Sequence, residues 1–349
     1  MIKKILFVAQ DPGGFNSIVP VFRKLGSNKS YQVTAFLAGA SKKIADRMGI
    51  PYINGEGATQ GDVKRVLENV KPCVIVAGTS GSASLDKDVV KISTRMGIPT
   101  ISILDFWINY NVRFSFKSLP DAILIMDKYA KAEMIKAGFP KDKLIVTGNP
   151  AFDMMKPIRS IQTDKSSTIL FVDQPISSDI VAGWHQNYNY DELEVFKDLL
   201  EALERIGFSG DVVVKLHPRT HNKKKFNPII KHFSIAVTVD TDDNNERVLA
   251  KSSLIFGMTS LLLFEAAMRG KKVLSYQPRL AGADPLVTNR LGLTKFVYRK
   301  SELAGAIQEA LRQKRLSERD RAIVNRYTKQ NATGKVIQYV DSLCSRKSL

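Results

Sequence analysis

The stretch Val212-Val213-Val214-Lys215-Leu216-His217-Pro218-Arg219 joins an apolar, β-branched run to two side chains that bind anions. The run predicts a buried strand over Val212–Leu216, of the kind found in parallel sheets. In open α/β sheets ligands bind at the carboxyl ends of the strands. His217 and Arg219 are therefore expected at that edge, where both can donate hydrogen bonds to phosphate oxygens.

A second strand end follows further along the chain. Residues 253–256 predict another buried strand, which ends at Gly257. Thr259 and Ser260 then begin a predicted helix over Leu261–Met268. The unpaired amide groups at the start of a helix attract an anion. The two loops together predict a phosphate site.

Glu265 lies inside that helix, where its carboxylate can accept hydrogen bonds from the two hydroxyls of a ribose. Taken singly, His217-Pro218 is typical of an ordinary turn and Ser260 of a simple helix cap. Their order, and their places at the correct ends of two strands, favour a nucleotide site instead.

The composition of the 349 residues, 44% of them hydrophobic, suits two α/β domains. No run approaches the ~18 apolar residues of a membrane span. The amino terminus continues directly into the predicted strand Ile5–Ala9, without a leader, which favours a cytoplasmic protein. The two cysteines, Cys73 and Cys344, predict a reducing compartment and no structural zinc, and Cys73 is expected to be inert core.

The net charge of +18 is unevenly placed. Residues 215–232 hold six Lys or Arg and no acid, and residues 299–349 hold twelve against five acids. Such fields attract polyanions, although solvated helix faces are the common explanation of lysine-rich segments. The basic stretches lack interleaved aromatics, so no nucleic-acid partner is expected. Peripheral contact with the anionic inner face of a membrane is left open.

The chain alternates short β-rich runs with helical patterns, first over residues 1–155 and again over 168–315. This alternation predicts two doubly wound parallel sheets. Residues 156–167 are polar, contain Pro157 and are expected to form a linker. Residues 316–349 are expected to form a helical segment that packs back on the amino-terminal domain.

These residues resemble the glycosyltransferase-B superfamily, in the branch with UDP-N-acetylglucosamine 2-epimerases, bacterial sialyltransferase-like enzymes and capsule or teichoic-acid transferases. The resemblance spans nearly the whole chain. Order and spacing are kept over Ile5-Leu6-Phe7-Val8 with Gln10-Asp11-Pro12-Gly13-Gly14, Val146-Thr147-Gly148-Asn149-Pro150, Leu216-His217-Pro218, Gly257-Met258-Thr259-Ser260 with Glu265-Ala266-Ala267, and Gly270-Lys271-Lys272-Val273-Leu274.

The resemblance implies a GT-B fold, with two Rossmann-like domains facing each other across a cleft. It implies that residues 168–315 bind a nucleotide sugar, with His217, Thr259 and Ser260 near the phosphate and Glu265 near the ribose. It also implies metal independence and no cofactor, because helix amides and basic side chains neutralise the departing phosphate. The run Asp240-Thr241-Asp242-Asp243 is expected to be a turn or a helix cap and not a metal site.

Two departures bear on the reaction. The 2-epimerases carry a His-Arg-Arg-Glu-Asn type segment where this chain has Asp173-Gln174-Pro175-Ile176-Ser177. The acidic-acidic-glycine motif of the sialyltransferase-like enzymes is also missing. The resemblance therefore indicates the shared fold more strongly than either reaction.

The amino-terminal domain should supply the base of a transfer reaction. Asp11 and Asp105, both just after predicted strands, are the candidates, and His217 is added as a third catalytic candidate. Gly13 and Gly14 are expected to let an acceptor or sugar approach the backbone closely. A helix cap or Asx-turn is the alternative for Asp11.

Further polar residues follow predicted strands in the second domain. Gln174 is expected to contact the nucleotide, and Gln277 and Asp284 the sugar or base. The function favoured by the sequence is a metal-independent glycosyltransferase that moves a sugar from a nucleotide donor to a polysaccharide or glycolipid acceptor. The alternatives are a nucleotide-sugar 2-epimerase and a non-catalytic module that binds nucleotide sugars or polyanions.

Overall fold

The computed structural model describes residues 2–81, 84–158, 167–181, 188–217, 220, 222–240, 244–313 and 316–346. The chain forms two compact units. Unit 1 comprises Met1–Met155 and Tyr327–Leu349, and unit 2 comprises Lys156–Arg326. Within the predicted linker, Ile158 donates its backbone N–H to Arg269 O of unit 2 at 2.9 Å, and residues 159–166 lie outside the described part.

The described residues of unit 1 contain one parallel sheet with the strand order β3-β2-β1-β4-β5-β6-β7. Ile5, Leu6, Phe7 and Val8 of the central strand are all 0% exposed. Burial on both faces explains why this strand is a continuous apolar run. The strands are β1 (Lys3–Ala9), β2 (Tyr31–Leu37), β3 (Ile53–Asn54), β4 (Val74–Ala77), β5 (Thr100–Ile103), β6 (Ala122–Ile125) and β7 (Leu144–Val146).

Helices connect the strands of unit 1, and a final helix returns to it from the carboxyl-terminal end. They are α1 (Pro12–Gly26), α2 (Gly39–Arg47), α3 (Gln60–Val70), α4 (Leu85–Arg95), α5 (Tyr110–Arg113), α6 (Lys128–Lys136), α7 (Pro150–Asp153) and α16 (Ala332–Arg346).

Unit 2 repeats the same plan. Its described residues form a parallel sheet with the order β10-β9-β8-β11-β12-β13. The strands are β8 (Thr168–Val172), β9 (Asp211–Lys215), β10 (Ala236–Asp240), β11 (Leu254–Gly257), β12 (Val273–Tyr276) and β13 (Lys295–Val297). The helices are α8 (Ile176–Val181), α9 (Glu192–Arg205), α10 (Asn227–Ile230), α11 (Asn245–Lys251), α12 (Leu261–Met268), α13 (Val287–Arg290), α14 (Lys300–Arg312) and α15 (Glu318–Thr328).

Helices α9 and α14 of unit 2 are amphipathic, and their apolar faces cover the sheet. Leu303 and Ile307 of α14 are buried in the same core as Phe196 and Leu199 of α9, and Leu311 packs against it. The two parallel sheets with their helices confirm the predicted α/β fold class.

The strand orders locate the ligand-binding edges. In each sheet the chain reverses its direction of winding next to the first strand of the unit, between β1 and β4 in unit 1 and between β8 and β11 in unit 2. Open α/β sheets bind ligands at such topological switch points, outside the carboxyl ends of the strands. The loops after β1, β4, β8 and β11 are therefore the places to look for a site.

The carboxyl-terminal helix α16 packs on α1 and is fixed by polar contacts at both ends. The carboxylate of Asp153 accepts the backbone N–H groups of Ala332 and Thr333 at 3.1 and 2.7 Å. Near the other end, Asp341 accepts hydrogen bonds from Lys3 Nζ and from Tyr31 Oη, each at 2.7 Å. These contacts join the two ends of the chain within unit 1.

A disulfide joins Cys73, just before β4, to Cys344 in α16. The expectation that Cys73 is inert core was therefore wrong. The cause is that α16 returns to the sheet and brings two cysteines 271 residues apart in sequence into bonding distance. The small number of cysteines consequently gives no support to a reducing compartment. Among the described residues, no helix is both long enough and apolar enough to cross a membrane.

Candidate functional site

The switch point of unit 1 is bridged by hydrogen bonds between the loops after β1 and β4. The backbone N–H of Asp11 donates to Ser80 Oγ at 3.3 Å, and the backbone N–H of Gly81 donates to Asp11 Oδ2 at 3.0 Å. The Asp11 side chain makes no capping hydrogen bond to α1, although the residue occupies the N-cap position. Its carboxylate is oriented across the switch point by the β4 loop instead.

Asp105, the second base candidate, is held by two side chains. Thr79 Oγ1 donates to Asp105 Oδ1 at 2.6 Å, and Arg113 forms an ion pair with the same oxygen. The side chains of Arg113 and Asp105 are 13% and 11% exposed. Asp105 is thus fixed in orientation and only partly open to solvent.

Gly13 and Gly14 lie where two loops of unit 1 approach the start of α1 closely. A Cβ atom on Gly13 would lie 2.2 Å from Asp105 Oδ2, and one on Gly14 would lie 2.7 Å from the backbone N and O of Thr79. The start of α1 therefore packs directly against the β4 and β5 loops. The protein itself thus makes a close approach at both glycines, and contact of Gly13 and Gly14 with an acceptor or sugar stays a prediction.

Asp86, in the first turn of α4, is a buried acid that the sequence did not reveal as special. It is 2% exposed and accepts a hydrogen bond from Ser80 Oγ at 2.8 Å. Burial raises the pKa of Asp86 to about 6, and the Ser80 hydrogen bond acts in the opposite direction. Asp86 also lines a recess of about 20 Å³ together with Lys87, Ser102 and Arg113. That space is sufficient for about one water molecule.

The switch point of unit 2 is bridged in a similar way. Gln174 Oε1, after β8, accepts hydrogen bonds from the backbone N–H and the hydroxyl of Thr259 at 3.2 and 3.0 Å. Ser260 is the N-cap of α12 and accepts the N–H of Leu262 at 3.3 Å. A Cβ atom on Gly257 would lie 3.0 Å from Val172 O, so this position is tightly packed against β8. The predicted helix start is where the sequence placed it.

The loops after β9 and β11 are not neighbours, because β8 lies between their strands. Asp173, at the end of β8, connects the β9 loop to this central strand. Its Oδ2 accepts the backbone N–H of His217 at 3.3 Å and the hydroxyl of Thr220 at 2.7 Å. Asp173 and Gln174 thus connect the two loops that were predicted to form a phosphate site together. Arg219 lies outside the described residues.

Lys225 forms a buried ion-pair network that the sequence did not predict. Its ammonium lies 2.8 Å from Asp173 Oδ1 and 3.2 Å from Glu192 Oε1. Glu192 in turn accepts the N–H and the hydroxyl of Ser177 at 3.1 and 2.9 Å. The side chain of Lys225 is only 13% exposed. A lysine in a basic run, expected to be solvated, therefore anchors the loops around the end of β8.

The carboxylate of Glu265 is partly engaged within the protein. Arg269 Nη1 lies 3.1 Å from Glu265 Oε1, and the other terminal nitrogen of Arg269 lies 3.2 Å from Glu246 Oε2. The side chain of Glu265 remains 33% exposed. Contact with a ribose stays a prediction, and such a ligand would share the carboxylate with Arg269.

Gln277 and Asp284 form hydrogen bonds with each other and with neighbouring residues of unit 2. Gln277 is 0% exposed and donates to Ser275 Oγ and Asp284 Oδ1, each at 3.0 Å. Its side-chain oxygen accepts from Tyr190 Oη at 3.3 Å. Asp284 also accepts hydrogen bonds from Leu286 N, Asn289 Nδ2 and Tyr298 Oη. The enclosed Gln277 amide therefore holds the loop after β12, and contact of Gln277 or Asp284 with the sugar or base stays a prediction.

The part of the chain that the structure describes contains no cluster of three or more His, Cys, Asp or Glu residues suited to a metal ion. Of the acidic run at residues 240–243, Asp240 pairs with Lys215 Nζ at 3.3 Å. Residues 241–243 lie outside the described part.

Comparison with solved structures supports the fold. A UDP-N-acetylglucosamine 2-epimerase of Methanocaldococcus jannaschii superposes with a TM-score of 0.70 at 15% identity, over 97% of this chain and 99% of that one. The Neisseria meningitidis enzyme bound to UDP-N-acetylglucosamine gives 0.66 at 15% identity, over 97% and 100%. MurG of Acinetobacter baumannii gives 0.60 at 14% identity, over 97% and 99%. These similarities show the GT-B fold.

Comparison by sequence identifies the family of the chain. No curated protein matches the chain significantly. The family model of UDP-N-acetylglucosamine 2-epimerase matches residues 107–341. This range contains Arg113, His217, Thr259, Ser260 and Glu265, and it makes up more than half of the sequence. The chain therefore belongs to the UDP-N-acetylglucosamine 2-epimerase family, whose two α/β domains have the GT-B fold.

Proposed function

We propose that the protein is an enzyme that inverts the configuration at sugar carbon 2 of a UDP-N-acetylhexosamine. The observation that carries this proposal is the family match over residues 107–341, which includes the loops at the unit 2 switch point. The proposal replaces glycosyl transfer, the function favoured by the sequence patterns alone, with the alternative that those patterns had left second.

The edge of unit 2 suits the departing nucleotide. Inversion at carbon 2 by acid–base chemistry alone can proceed by elimination: the base takes the carbon 2 proton, the bond from carbon 1 to the phosphate oxygen breaks, and a double bond forms between the two carbons. The diphosphate leaves with a negative charge. The start of α12 offers backbone amides beside Thr259 and Ser260, and this arrangement stabilises an anion.

The edge of unit 1 supplies groups that can move the proton. Asp11 and Asp105 present carboxylates whose orientation is fixed by Gly81, Thr79 and Arg113. A carboxylate held in this way is suited to accept a proton from carbon 2. A proton then returns to carbon 2 with the opposite configuration, and the nucleotide returns to carbon 1. The inversion is thereby complete, and no reactant is consumed.

An assay without an acceptor tests the proposal. Purified protein incubated with UDP-N-acetylglucosamine alone should form a second UDP-N-acetylhexosamine until the two sugars reach a constant ratio, as followed by proton NMR. Asp105→Asn should abolish this conversion while UDP binding, measured by calorimetry, stays within about twofold of wild type, because the substitution is isosteric and lies in unit 1. Absence of conversion by the wild-type protein, with UDP bound, would contradict the proposal.

Glycosyl transfer is the second candidate function. It is favoured by the sequence at the end of β8, where Asp173-Gln174-Pro175 stands in place of the His-Arg-Arg-Glu-Asn type segment of the 2-epimerases. Asp173 is 1% exposed and bound to Thr220 and Lys225, so it serves the local structure. UDP release that requires an added polysaccharide or glycolipid acceptor would select this function. Binding of UDP-N-acetylglucosamine without any turnover would select a binding module.

A further inference from the structure

One face of unit 1 concentrates exposed apolar side chains. Val112, Phe116, Tyr129 and Ile135 are 53%, 50%, 60% and 41% exposed. They are four of the twelve large apolar side chains that are exposed among the described residues, and they fall within 24 residues of sequence. We name this surface, formed by α5, residues 114–117 and α6, the α5–α6 face. Scattered single apolar residues need no explanation, whereas a concentration of them indicates an interaction surface.

Contacts between the elements make this face a single surface. Tyr110 Oη of α5 donates to Glu133 Oε2 of α6 at 2.6 Å. The ring of Phe116 packs on Phe139, with centroids 4.6 Å apart, and Phe139 closely follows α6. The segment that carries Val112 and Phe116 is thus held against the helix that carries Tyr129 and Ile135.

The same face is cationic. Residues 110–117 and 128–136 contain five Lys or Arg and one acid, Glu133, which is engaged by Tyr110. Lys117, Lys128 and Lys136 are exposed. Asp127, the acid just before α6, is buried and accepts hydrogen bonds from Trp107 Nε1 at 2.9 Å and Tyr327 Oη at 2.8 Å. Phe116, Tyr129 and Ile135 are therefore each next to an exposed lysine in sequence.

We propose that the α5–α6 face docks the protein on a bilayer that contains anionic lipid. Apolar side chains that enter the interfacial layer, together with lysines at the level of the head groups, are the two signals that peripheral binding needs. The charge of +18 on the whole chain acts in the same direction. Charge complementarity selects an anionic surface over a neutral one, and protruding side chains suit a deformable lipid layer.

Helix α5 connects the α5–α6 face to the candidate site. Arg113, which pairs with Asp105, stands next to Val112 in this four-residue helix. The backbone oxygen of Val112 also accepts a hydrogen bond from Lys87 Nζ at 2.5 Å, and Lys87 follows the buried acid Asp86. A membrane at the α5–α6 face would accordingly lie beside the segment that positions Asp105. The inference does not depend on which reaction the protein performs.

Co-sedimentation of the full chain with vesicles tests the proposal. The protein should pellet with vesicles of phosphatidylcholine and roughly one third phosphatidylglycerol, and not with phosphatidylcholine alone. Binding should weaken in about 0.5 M salt, because salt screens the lysines. The charge-reversal variant Lys117→Glu/Lys128→Glu and the apolar variant Val112→Ser/Ile135→Ser should each lose about tenfold or more in affinity.

Matched controls lie in unit 2. Lys223→Glu/Lys251→Glu reverses two exposed lysines, and Phe296→Ser removes a 43% exposed aromatic. These variants should bind anionic vesicles within about threefold of wild type. Equal losses in face and control variants would show that net charge alone attracts the protein, and would overturn the proposal. So would absence of binding to anionic vesicles, or a concentration-dependent dimer that only Val112→Ser/Ile135→Ser dissociates, which would assign the face to a second copy of the chain.

Discussion

The backbone of Gly13 lies directly against the carboxylate of Asp105: a Cβ atom at position 13 would stand 2.2 Å from Asp105 Oδ2. Gly13 is in the first turn of α1, after β1, and Asp105 follows β5. The position of the candidate base in one loop is therefore set by the absence of a side chain in another. Thr79 and Arg113 complete the enclosure of the carboxylate.

Gly13→Ala should displace Asp105 without unfolding unit 1. A methyl group would push the carboxylate away from Thr79, and a displacement of about 1 Å at a reacting group can cost about a hundredfold in rate. We expect kcat to fall by at least tenfold on this ground, with UDP affinity unchanged. Gly305→Ala in α14 is the control, because a Cβ atom there meets no atom within 4 Å and the residue lies outside the candidate site. A Gly13→Ala enzyme as fast as wild type would contradict a catalytic role for Asp105.

Lys225→Met should destabilise unit 2 strongly. Removal of the ammonium leaves the carboxylates of Asp173 and Glu192 buried without compensation, and breaking a buried pair in this way costs about 3–5 kcal/mol. Urea unfolding measures the change. Lys224→Met, which removes an exposed neighbour, should change the free energy of unfolding by less than about 0.5 kcal/mol. Similar values for the two variants would contradict the buried network.

Asp86→Asn should alter the pH dependence of stability. Because burial raises the pKa of Asp86 from 3.8 to about 6, the folded state binds this proton more tightly than the unfolded state. The wild type should therefore be favoured below about pH 4 and lose this contribution as the pH rises to about 6. The difference between the free energies of unfolding of the variant and the wild type should therefore shift in favour of the variant by about 2 kcal/mol as the pH rises from about 4 to about 6. A difference that is constant with pH would refute the shift.

Reduction of the disulfide between Cys73 and Cys344 should loosen the attachment of α16. The bond closes a long loop, and loss of such a constraint typically costs about 2–4 kcal/mol. Dithiothreitol should lower the Tm of the wild type and leave that of Cys73→Ser/Cys344→Ser unchanged. An equal Tm for the oxidised and reduced wild type would show that Asp153, Asp341 and the apolar contacts of α16 hold the helix without the bond.

The strands were predictable because a parallel strand buried on both faces is a short apolar run. The predicted strands Ile5–Ala9 and Val212–Leu216 overlap β1 (Lys3–Ala9) and β9 (Asp211–Lys215) almost completely. The short strands β3 (Ile53–Asn54) and β13 (Lys295–Val297), at the edges of the two sheets, were missed, since neither contains such a run. The prediction thus succeeded where burial leaves a pattern in the sequence.

The site was predictable only in part, because the order of strands in a sheet cannot be deduced from local sequence. The loops of His217 and Thr259 were predicted to form one phosphate site, but the sequence did not indicate that β8 lies between their strands, with Asp173 and Gln174 as the connection. Lys225 has the sequence surroundings of a solvated lysine, and only the fold brings two carboxylates to it. Partners distant in sequence are the information that local patterns lack.

Deuterium incorporation tests the proposed reaction most directly. UDP-N-acetylglucosamine is incubated with the enzyme in deuterium oxide, without any acceptor, and the recovered nucleotide sugars are analysed by mass spectrometry and NMR. Inversion through removal of the carbon 2 proton predicts deuterium at carbon 2 of the product, and of recovered substrate as the reaction approaches equilibrium. Sugars recovered without deuterium at carbon 2, together with UDP release that begins only when an acceptor is added, would contradict epimerisation and establish transfer.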